Sequence, residues 1–291
     1  MRRFDSCYLH CGGLAQPSFV KNGFTILKCS DCNLYTLETD QDYDEFLEKY
    51  YREGYFMGKD EKFGYADYLS EEPMVRKNAS HYLHKIRELQ PAGKLLDVGC
   101  AAGFFMDEAL SLGYDVTGID TSEFITKLAP EHLQSKIQTV PLHLATFPAS
   151  DFDIVIMFDL IEHLADPRND LTQLATAVKS KGLLVVGTGD VGSFYAHVLG
   201  SHNHFFAPPH HYFFFSRKTM TELLKQAGFE VIKIESVGKW LTFPYIARVA
   251  KHFNLPFFDI FMNSRIMRRL FNNKWFYLYF GDNMVVYARK I

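Results

Sequence analysis

Apolar positions change rhythm near residue 93. Before it, Val75, Tyr82, Leu83, Ile86 and Leu89 recur at helical spacing across 74–90. Pro91 and Gly93 end that helix. Beyond it, short apolar runs alternate with amphipathic stretches. The runs predict strands at 94–98, 115–120, 137–142, 152–158, 183–188, 230–235 and 284–288. Helices are predicted near 103–112, 122–129, 168–179 and 217–227, with Asp166-Pro167 and Ser216 as start signals. Strand–helix alternation predicts an α/β fold whose parallel sheet is joined by right-handed crossovers. The amino-terminal third reads differently. Short strands are expected at 25–28 and 34–37, between cysteines. Residues 40–72 are acidic and tyrosine-rich (Tyr43, Tyr50, Tyr51, Tyr55, Tyr65, Tyr68), and Gly54, Gly58 and Gly64 interrupt any period. Short helices and a connecting segment are expected there. This divides the chain into a cysteine segment (1–38), a connection and cover (39–92) and a core (93–291).

Composition sharpens that division. The 291 residues are 47% apolar, enough for a sizeable core, and the net charge is only −3. No uninterrupted apolar run is long enough to cross a bilayer, and Met1–Asp5 lacks the apolar stretch of a secretory signal. A cytoplasmic location is expected. The charge is unevenly placed. Residues 239–291 hold nine Lys/Arg against Asp259 and Asp282, a net of +7. That leaves 22 basic and 32 acidic residues over 1–238, a net of −10, which argues against a nucleic-acid coat.

Four of the five cysteines fall in the first 32 residues as C-x3-C, a 17-residue loop and C-x2-C. Cys7, Cys11, Cys29 and Cys32 can each contribute one thiolate to a tetrahedral zinc site, two from each tight turn. Lys21 and Lys28 are placed to offset part of the charge of a zinc tetrathiolate. The alternatives are four reduced thiols in a small core, or disulfides.

Leu95 to Phe104 reads as strand, glycine turn and helix start. Gly99 and Gly103 permit close backbone approach to a ligand. Asp120, at the end of the next strand, can accept hydrogen bonds from two ribose hydroxyls. A dinucleotide site would need G-x-G-x-x-G, and here Ala101 replaces the middle glycine. Asp97 before the turn would oppose a pyrophosphate. It favours a ligand with a cationic end, a profile that S-adenosylmethionine meets.

From Lys94 to about Lys290 the chain resembles class I S-adenosylmethionine-dependent methyltransferases, in particular a branch with an amino-terminal cysteine ribbon that modifies sugars and other small molecules. Besides the glycine turn, Cys29–Leu34, Gly64–Tyr68, Phe158–Pro167 and Pro208–Ser216 resemble that branch's motifs. Ala101 and His210 depart from its usual glycine and glutamate. The resemblance implies a doubly wound, Rossmann-like seven-stranded sheet whose last strand is antiparallel. It implies cofactor contacts from Tyr65, Asp97, Gly99, Cys100, Gly103, Asp120, Thr121 and Phe158. Residues 143–151 offer no clear acid for the adenine amino group, leaving His143 or a backbone group.

Methyl transfer to a neutral hydroxyl needs alignment and a proton acceptor. His163 is the candidate base, and Glu162 or Asp159 could orient it or stabilise its charged form. His163 and Glu162 follow the fourth core strand, where the ligand crevice of such sheets lies. Residues 194–215 add five of the twelve histidines and eight aromatic residues, with His211 the strongest candidate for the site. Asp159, Glu162 and His163 also resemble an acid-x-x-Glu-His metal site of some RNA-end methyltransferases, giving a second reading. A third is a cofactor-binding scaffold without turnover. The aromatic and basic stretch at about 240–280 is expected to form inserted helices. It would attract an anionic, sugar-containing acceptor or an anionic membrane surface. The leading expectation is methylation of a sugar or a nucleotide- or lipid-linked glycan.

Overall fold

The computed structural model describes residues 6–57, 68–246, 264, 270–271 and 274–291. Strands β1 (Ala15–Lys21), β2 (Phe24–Cys29) and β3 (Tyr35–Leu37) are followed by helices α1 (Tyr43–Tyr50), α2 (Glu53–Phe56) and α3 (Glu72–Leu89). Then come β4 (Lys94–Val98), α4 (Phe104–Ser111), β5 (Asp115–Asp120), α5 (Glu123–Thr126), α6 (Glu131–Gln134), β6 (Ile137–Thr139) and β7 (Phe152–Phe158). The chain continues with α7 (Pro167–Ala177), β8 (Val178–Gly189), α8 (Phe194–Leu199), β9 (Phe213–Phe214), α9 (Arg217–Gln226), β10 (Phe229–Thr242) and β11 (Trp275–Lys290).

Seven strands form one sheet in the order β10-β11-β8-β7-β4-β5-β6. Pairing is parallel from β8 to β6, and β11 enters antiparallel between β8 and β10. The central strands are continuous apolar runs because both faces are covered. Leu95, Leu96, Ile154, Val155, Ile156, Leu184 and Val185 are completely buried. One face receives Tyr82, Leu83 and Ile86 of α3 with Met106 and Ala109 of α4. The other receives Leu171 and Leu174 of α7 and Met220, Leu223 and Leu224 of α9. Both predicted caps form. The Asp166 carboxylate accepts the Asn169 N–H, and Ser216 and Thr219 make a reciprocal capping box.

The order of connections positions the site. From β4 the chain adds β5 and β6 on one side, then crosses to β7 and β8 on the other. The reversal leaves a crevice at the carboxyl ends of β4 and β7.

Several expectations are corrected. β1 was absent from the sequence reading, although Asn22-Gly23 is a hairpin-turn pair, and both residues adopt positive φ (51° and 83°). β6 stops at Thr139 because Pro141 has no N–H to pair, and 142–144 becomes a 3-10 turn. The last two strands are far longer than 230–235 and 284–288. Residues 240–242 and 275–280, expected as part of a helical insertion, continue the antiparallel ladder, with Lys239 opposite Leu278 and Thr242 opposite Trp275. Gly281 lies inside β11 at φ 73° rather than ahead of it. Residues 243–246 are helical. Residues 270 and 271 are helical as well, and the rest of that expected insertion, 264 and 274 apart, lies outside the described residues, as Tyr65 does.

The cysteine segment shares a sheet with the rest of the chain. Its strands run β1-β2-β3 and then pair antiparallel with β9, directly after His211. No helix among the described residues is long and apolar enough to cross a membrane.

Candidate active site

A cavity of about 210 Å³ opens at the strand reversal, walled by Asp97 to Ala101, Asp120, Thr121, Phe158, Asp159 and His163. The turn after β4 is tied to β5. Gly99 and Cys100 donate to the Ile119 carbonyl at 2.8 and 3.0 Å. Ala101 donates to Asp120 Oδ2 at 2.9 Å, and the Ser122 N–H donates to Oδ1 at 2.8 Å. Gly99 (φ 82°) and Gly103 (φ 73°) take the left-handed conformation as the glycine pattern requires. Ala101 takes it as well, at φ 47°, so the turn keeps its shape at the cost of a strained alanine. The Cys100 thiol is buried beneath the turn against Gly118, where an added Cβ would sit 2.7 Å from Sγ.

Asp97 is 5% exposed, and its Oδ2 has no hydrogen-bond partner among the described residues. Burial and the neighbouring Asp120 charge push its carboxyl up to about 8. Burial also raises Asp120, against the backbone N–H groups of Ser122, Ala101 and Thr121 that favour its charged form. Two carboxyls in apolar surroundings therefore face one cavity.

Aromatic side chains close the cavity. Phe158 is stacked between Tyr82 (4.8 Å) and Phe105 (5.1 Å), and Gly187 makes room for its ring. Tyr51, Tyr55, Phe56 and Tyr68 come from the connection and line the same space. Burial, together with the Glu162, Asp120 and Asp159 charges, holds the Tyr55 phenol above its ordinary range. His143 sits apart from this wall, with Nε2 3.2 Å from Asp44, so Val140 to Leu142 form the rim instead.

Next to the crevice, Glu162, His163 and His211 bring one ligand atom each to within 4.8 Å of one another. Glu162 is 4% exposed and receives a hydrogen bond from Thr188, while its Oε2 has no partner among the described residues. Burial and the Asp159 charge push it up to about 8. His163 Nδ1 lies 2.9 Å from the Tyr51 hydroxyl, and its ring makes a hydrogen bond to the His210 backbone. Burial and the two neighbouring histidines hold it well below its ordinary value. His211 Nδ1 is 2.7 Å from the Phe205 carbonyl, which can only accept. The proton is thereby placed on Nδ1 and Nε2 keeps its lone pair. Burial pushes His211 down to about 4. The rings of His163 and His211 meet edge to face at 4.6 Å.

Two grouped expectations change. Asp159 leaves the acid-x-x-Glu-His set and pairs with Lys239 at 2.8 Å, and His211 takes its place beside Glu162 and His163. His210 is buried among Phe46, Tyr50 and Tyr55 as part of the aromatic packing. Tyr51, Tyr55 and Tyr68 were not singled out as cavity residues. The only sequence signal was the density of tyrosines, which does not say which ones point inward.

Cys7, Cys11, Cys29 and Cys32 converge, with Sγ atoms of Cys7 and Cys32, and of Cys11 and Cys29, each 3.4 Å apart and unbonded. Gly13 is required beside them because a Cβ there would approach Cys29 Sγ to 2.7 Å. The donor set and its closeness fit a tetrahedral soft-metal site. Both lysines expected to offset the thiolate charge have other partners as well. Lys21 Nζ donates to the Asn203 carbonyl at 2.7 Å, and Lys28 lies over the Tyr35 ring at 5.1 Å.

A glycine turn on β4, an acid on β5 and an antiparallel strand next to the sheet edge define the class I S-adenosylmethionine-dependent methyltransferase fold. Residues 72–234 match the methyltransferase domain family, and the chain belongs to it. The match to the ubiquinone biosynthesis O-methyltransferase of Bordetella avium is 37% identical over 101 residues, covering 33% of this chain and 42% of the relative. That to the enzyme of the same name from Caulobacter sp. is 33% identical over 101 residues, covering 33% and 40%. The chain thus spans about two fifths of the length of these curated relatives. Among solved structures, a SAM-dependent methyltransferase from Archaeoglobus fulgidus shares the fold at TM-score 0.52 and 20% identity, over 77% of this chain and 99% of that one. The Burkholderia thailandensis 1,6-didemethyltoxoflavin-N1-methyltransferase shares it at TM-score 0.50 and 16% identity, over 95% and 99%.

The strained alanine yields a direct check. Ala101→Gly should stabilise the fold by about 0.5–1 kcal/mol, the relief of left-handed strain being partly offset by chain entropy. Urea unfolding should show a higher midpoint with an unchanged slope. A lower midpoint would mean that the Ala101 methyl contributes more through packing than its conformation costs.

Proposed function

We propose that this protein transfers the methyl group of S-adenosylmethionine to a hydroxyl oxygen of a small, ring-bearing acceptor. The observation that carries the reading is the buried, unsatisfied carboxyl of Asp97 beside Asp120. A cavity that holds two such groups needs a ligand with a cationic end and hydroxyl donors. S-adenosylmethionine supplies a methyl group already activated by a sulfonium. Asp97 would hold the cationic end, Asp120 the ribose hydroxyls, and the amides of the 99–101 turn the close backbone approach. Gly103, Thr121, Phe158 and the tyrosine wall would complete the cover.

On the acceptor side, His211 Nε2 is the lone pair best placed to take the hydroxyl proton, with Glu162 beside it. His163 uses Nδ1 to hold Tyr51, so its role is to position that phenol. Water exclusion by the aromatic wall would protect the transfer. The relatives' name supports an oxygen acceptor and adds a ring of the ubiquinone pathway to the sugar or linked-glycan acceptor expected from sequence. A divalent ion held by Glu162, His163 and His211 is the second reading, supported by their convergence and by a carboxylate and two imidazoles as donor set. In the cysteine segment a structural zinc would be held by Cys7, Cys11, Cys29 and Cys32.

The sign of the pH effect follows from Asp97. Its carboxyl is protonated in the free protein below about pH 8, whereas a cationic ligand needs it ionised. Calorimetry with S-adenosylmethionine should therefore show affinity falling by up to about tenfold per unit as pH drops below about 8, and levelling above it. Asp97→Asn should flatten that dependence and weaken binding by roughly 30-fold or more. No binding at millimolar ligand would sink the cofactor assignment.

With methyl-labelled S-adenosylmethionine and a panel of catechols, sugars and nucleotide sugars, labelled product should identify the acceptor class. His211→Gln should then lower turnover by about 10²–10⁴-fold with cofactor affinity within about twofold. Unchanged turnover would remove His211 as the base, and loss of activity to a chelator with return on magnesium or manganese would favour the metal reading. Elemental analysis should find about one zinc per chain, absent from Cys29→Ser/Cys32→Ser. A folded, metal-free wild type would refute the zinc assignment.

A further inference from the structure

Residues 203–214 carry His204, His210 and His211, and they are gripped from two sides. On the sheet side, the Tyr212 N–H donates to the Glu162 carbonyl at 2.7 Å. On the other side lies the cysteine segment. Lys21 Nζ, at the tip of the β1–β2 hairpin, donates to the Asn203 carbonyl at 2.7 Å, and Asn22 Nδ2 donates to the Pro208 carbonyl at 3.3 Å. The Leu37 N–H donates to the Tyr212 carbonyl at 2.8 Å, and Tyr35 and Thr36 pair with Phe214 and Phe213. Phe19 and Tyr35 pack edge-on against Phe206 at 4.9 and 5.3 Å.

Two of these contacts end on either side of the group that sets the His211 tautomer. Asn203 and Pro208 flank Phe205, whose carbonyl takes the Nδ1 proton and leaves Nε2 with its lone pair, on a ring 4.6 Å from that of His163. Lys21 commits a partly buried ammonium to one carbonyl, and burial lowers its proton affinity. An interaction of that kind serves the segment it holds, since a lysine costs less when it is left in water.

We infer that the cysteine segment builds one wall of the acceptor side: Lys21 and Asn22, with strand β3, are positioning residues that hold 203–214 so that His211 keeps its Nδ1–H tautomer and its place beside Glu162 and His163. This rests on the reading of His211 as the group that meets the acceptor. A segment able to move by an ångström or two would keep its chain path and lose that orientation. Disturbance of the cysteine cluster would therefore be felt at the acceptor side, with the cofactor crevice unaffected.

The test uses the full chain and no acceptor. Lys21→Met keeps the alkyl stem, Asn22→Gly keeps the turn, and Lys21→Arg restores the cation. In Lys21→Met/Asn22→Gly, amide hydrogen exchange of Phe205, Tyr212, Phe213 and Phe214 should accelerate by about tenfold or more, as loss of a charge-assisted hydrogen bond predicts. Nitrogen-15 spectra should show His211 losing its fixed Nδ1–H form and averaging between tautomers. Exchange in β4 and β5, and S-adenosylhomocysteine affinity, should stay within about twofold. Lys21→Arg should restore most of the protection. Unchanged exchange and an unchanged His211 tautomer would overturn the inference, as would a parallel loss of S-adenosylhomocysteine affinity, which would mark general destabilisation. A wild type that binds no S-adenosylhomocysteine would sink the methyl-transfer reading alone, and the exchange comparison would still decide the positioning role.

Discussion

Two carboxyl groups at the ends of adjacent parallel strands, Asp97 buried and Asp120 half-buried, set the terms for the rest of this molecule. Asp97 and Asp120 sit where the strand order reverses, and a low-dielectric cavity raises the cost of ionising both. Asp120 is partly compensated by the N–H groups of Ala101 and Ser122, whereas Asp97 Oδ2 has no such partner among the described residues. The turn is held in a left-handed path even through an alanine, which keeps those amides aimed at Asp120. The aromatic wall of Tyr51, Tyr55, Tyr68 and Phe158 lines the site with apolar surface and thereby sustains the same cost. Such a cavity stores an unfavourable state that a cationic ligand relieves.

The side-chain cluster beside the crevice solves a different problem with the same means. Glu162 and His163 are buried, His211 is half-buried close beside them, and all three are shifted toward their neutral forms. Orientation there is decided by backbone carbonyls and one phenol: Phe205 for His211, the His210 backbone and Tyr51 for His163. Those carbonyls belong to a segment that bonds to the cysteine hairpin as well as to the catalytic sheet. The small amino-terminal sheet is therefore completed by β9, a strand from the far end of the chain, and β9 adjoins His211.

Core strands such as β4, β5 and β7 were legible to the residue because short stretches rich in β-branched and other apolar residues between turn signals have few other stable placements. The ends of β10 and β11 were not. Their outer halves are rich in aromatic residues that suit an exposed helix and an exposed ladder equally, and only pairing partners distinguish the two. The same limit applied to residues of the site. Gly99, Asp97 and Asp120 could be read from their place beside a strand, whereas the separation of Asp159 toward Lys239 and the arrival of His211 in its stead could not.

What the sequence determined by itself was local: the strand and helix periods, the caps at Asp166 and Ser216, the glycine turn with its acids, and the two cysteine pairs. Each depends on residues close in the chain, so side-chain chemistry and backbone freedom suffice to specify it. What the tertiary structure decided was which distant groups meet. His211 joins Glu162, Tyr51 meets His163, Lys21 reaches Asn203, and β3 finds β9. These partners are tens to hundreds of residues apart, and their pairing follows from the strand order and from the burial of polar groups that must find partners once water is excluded.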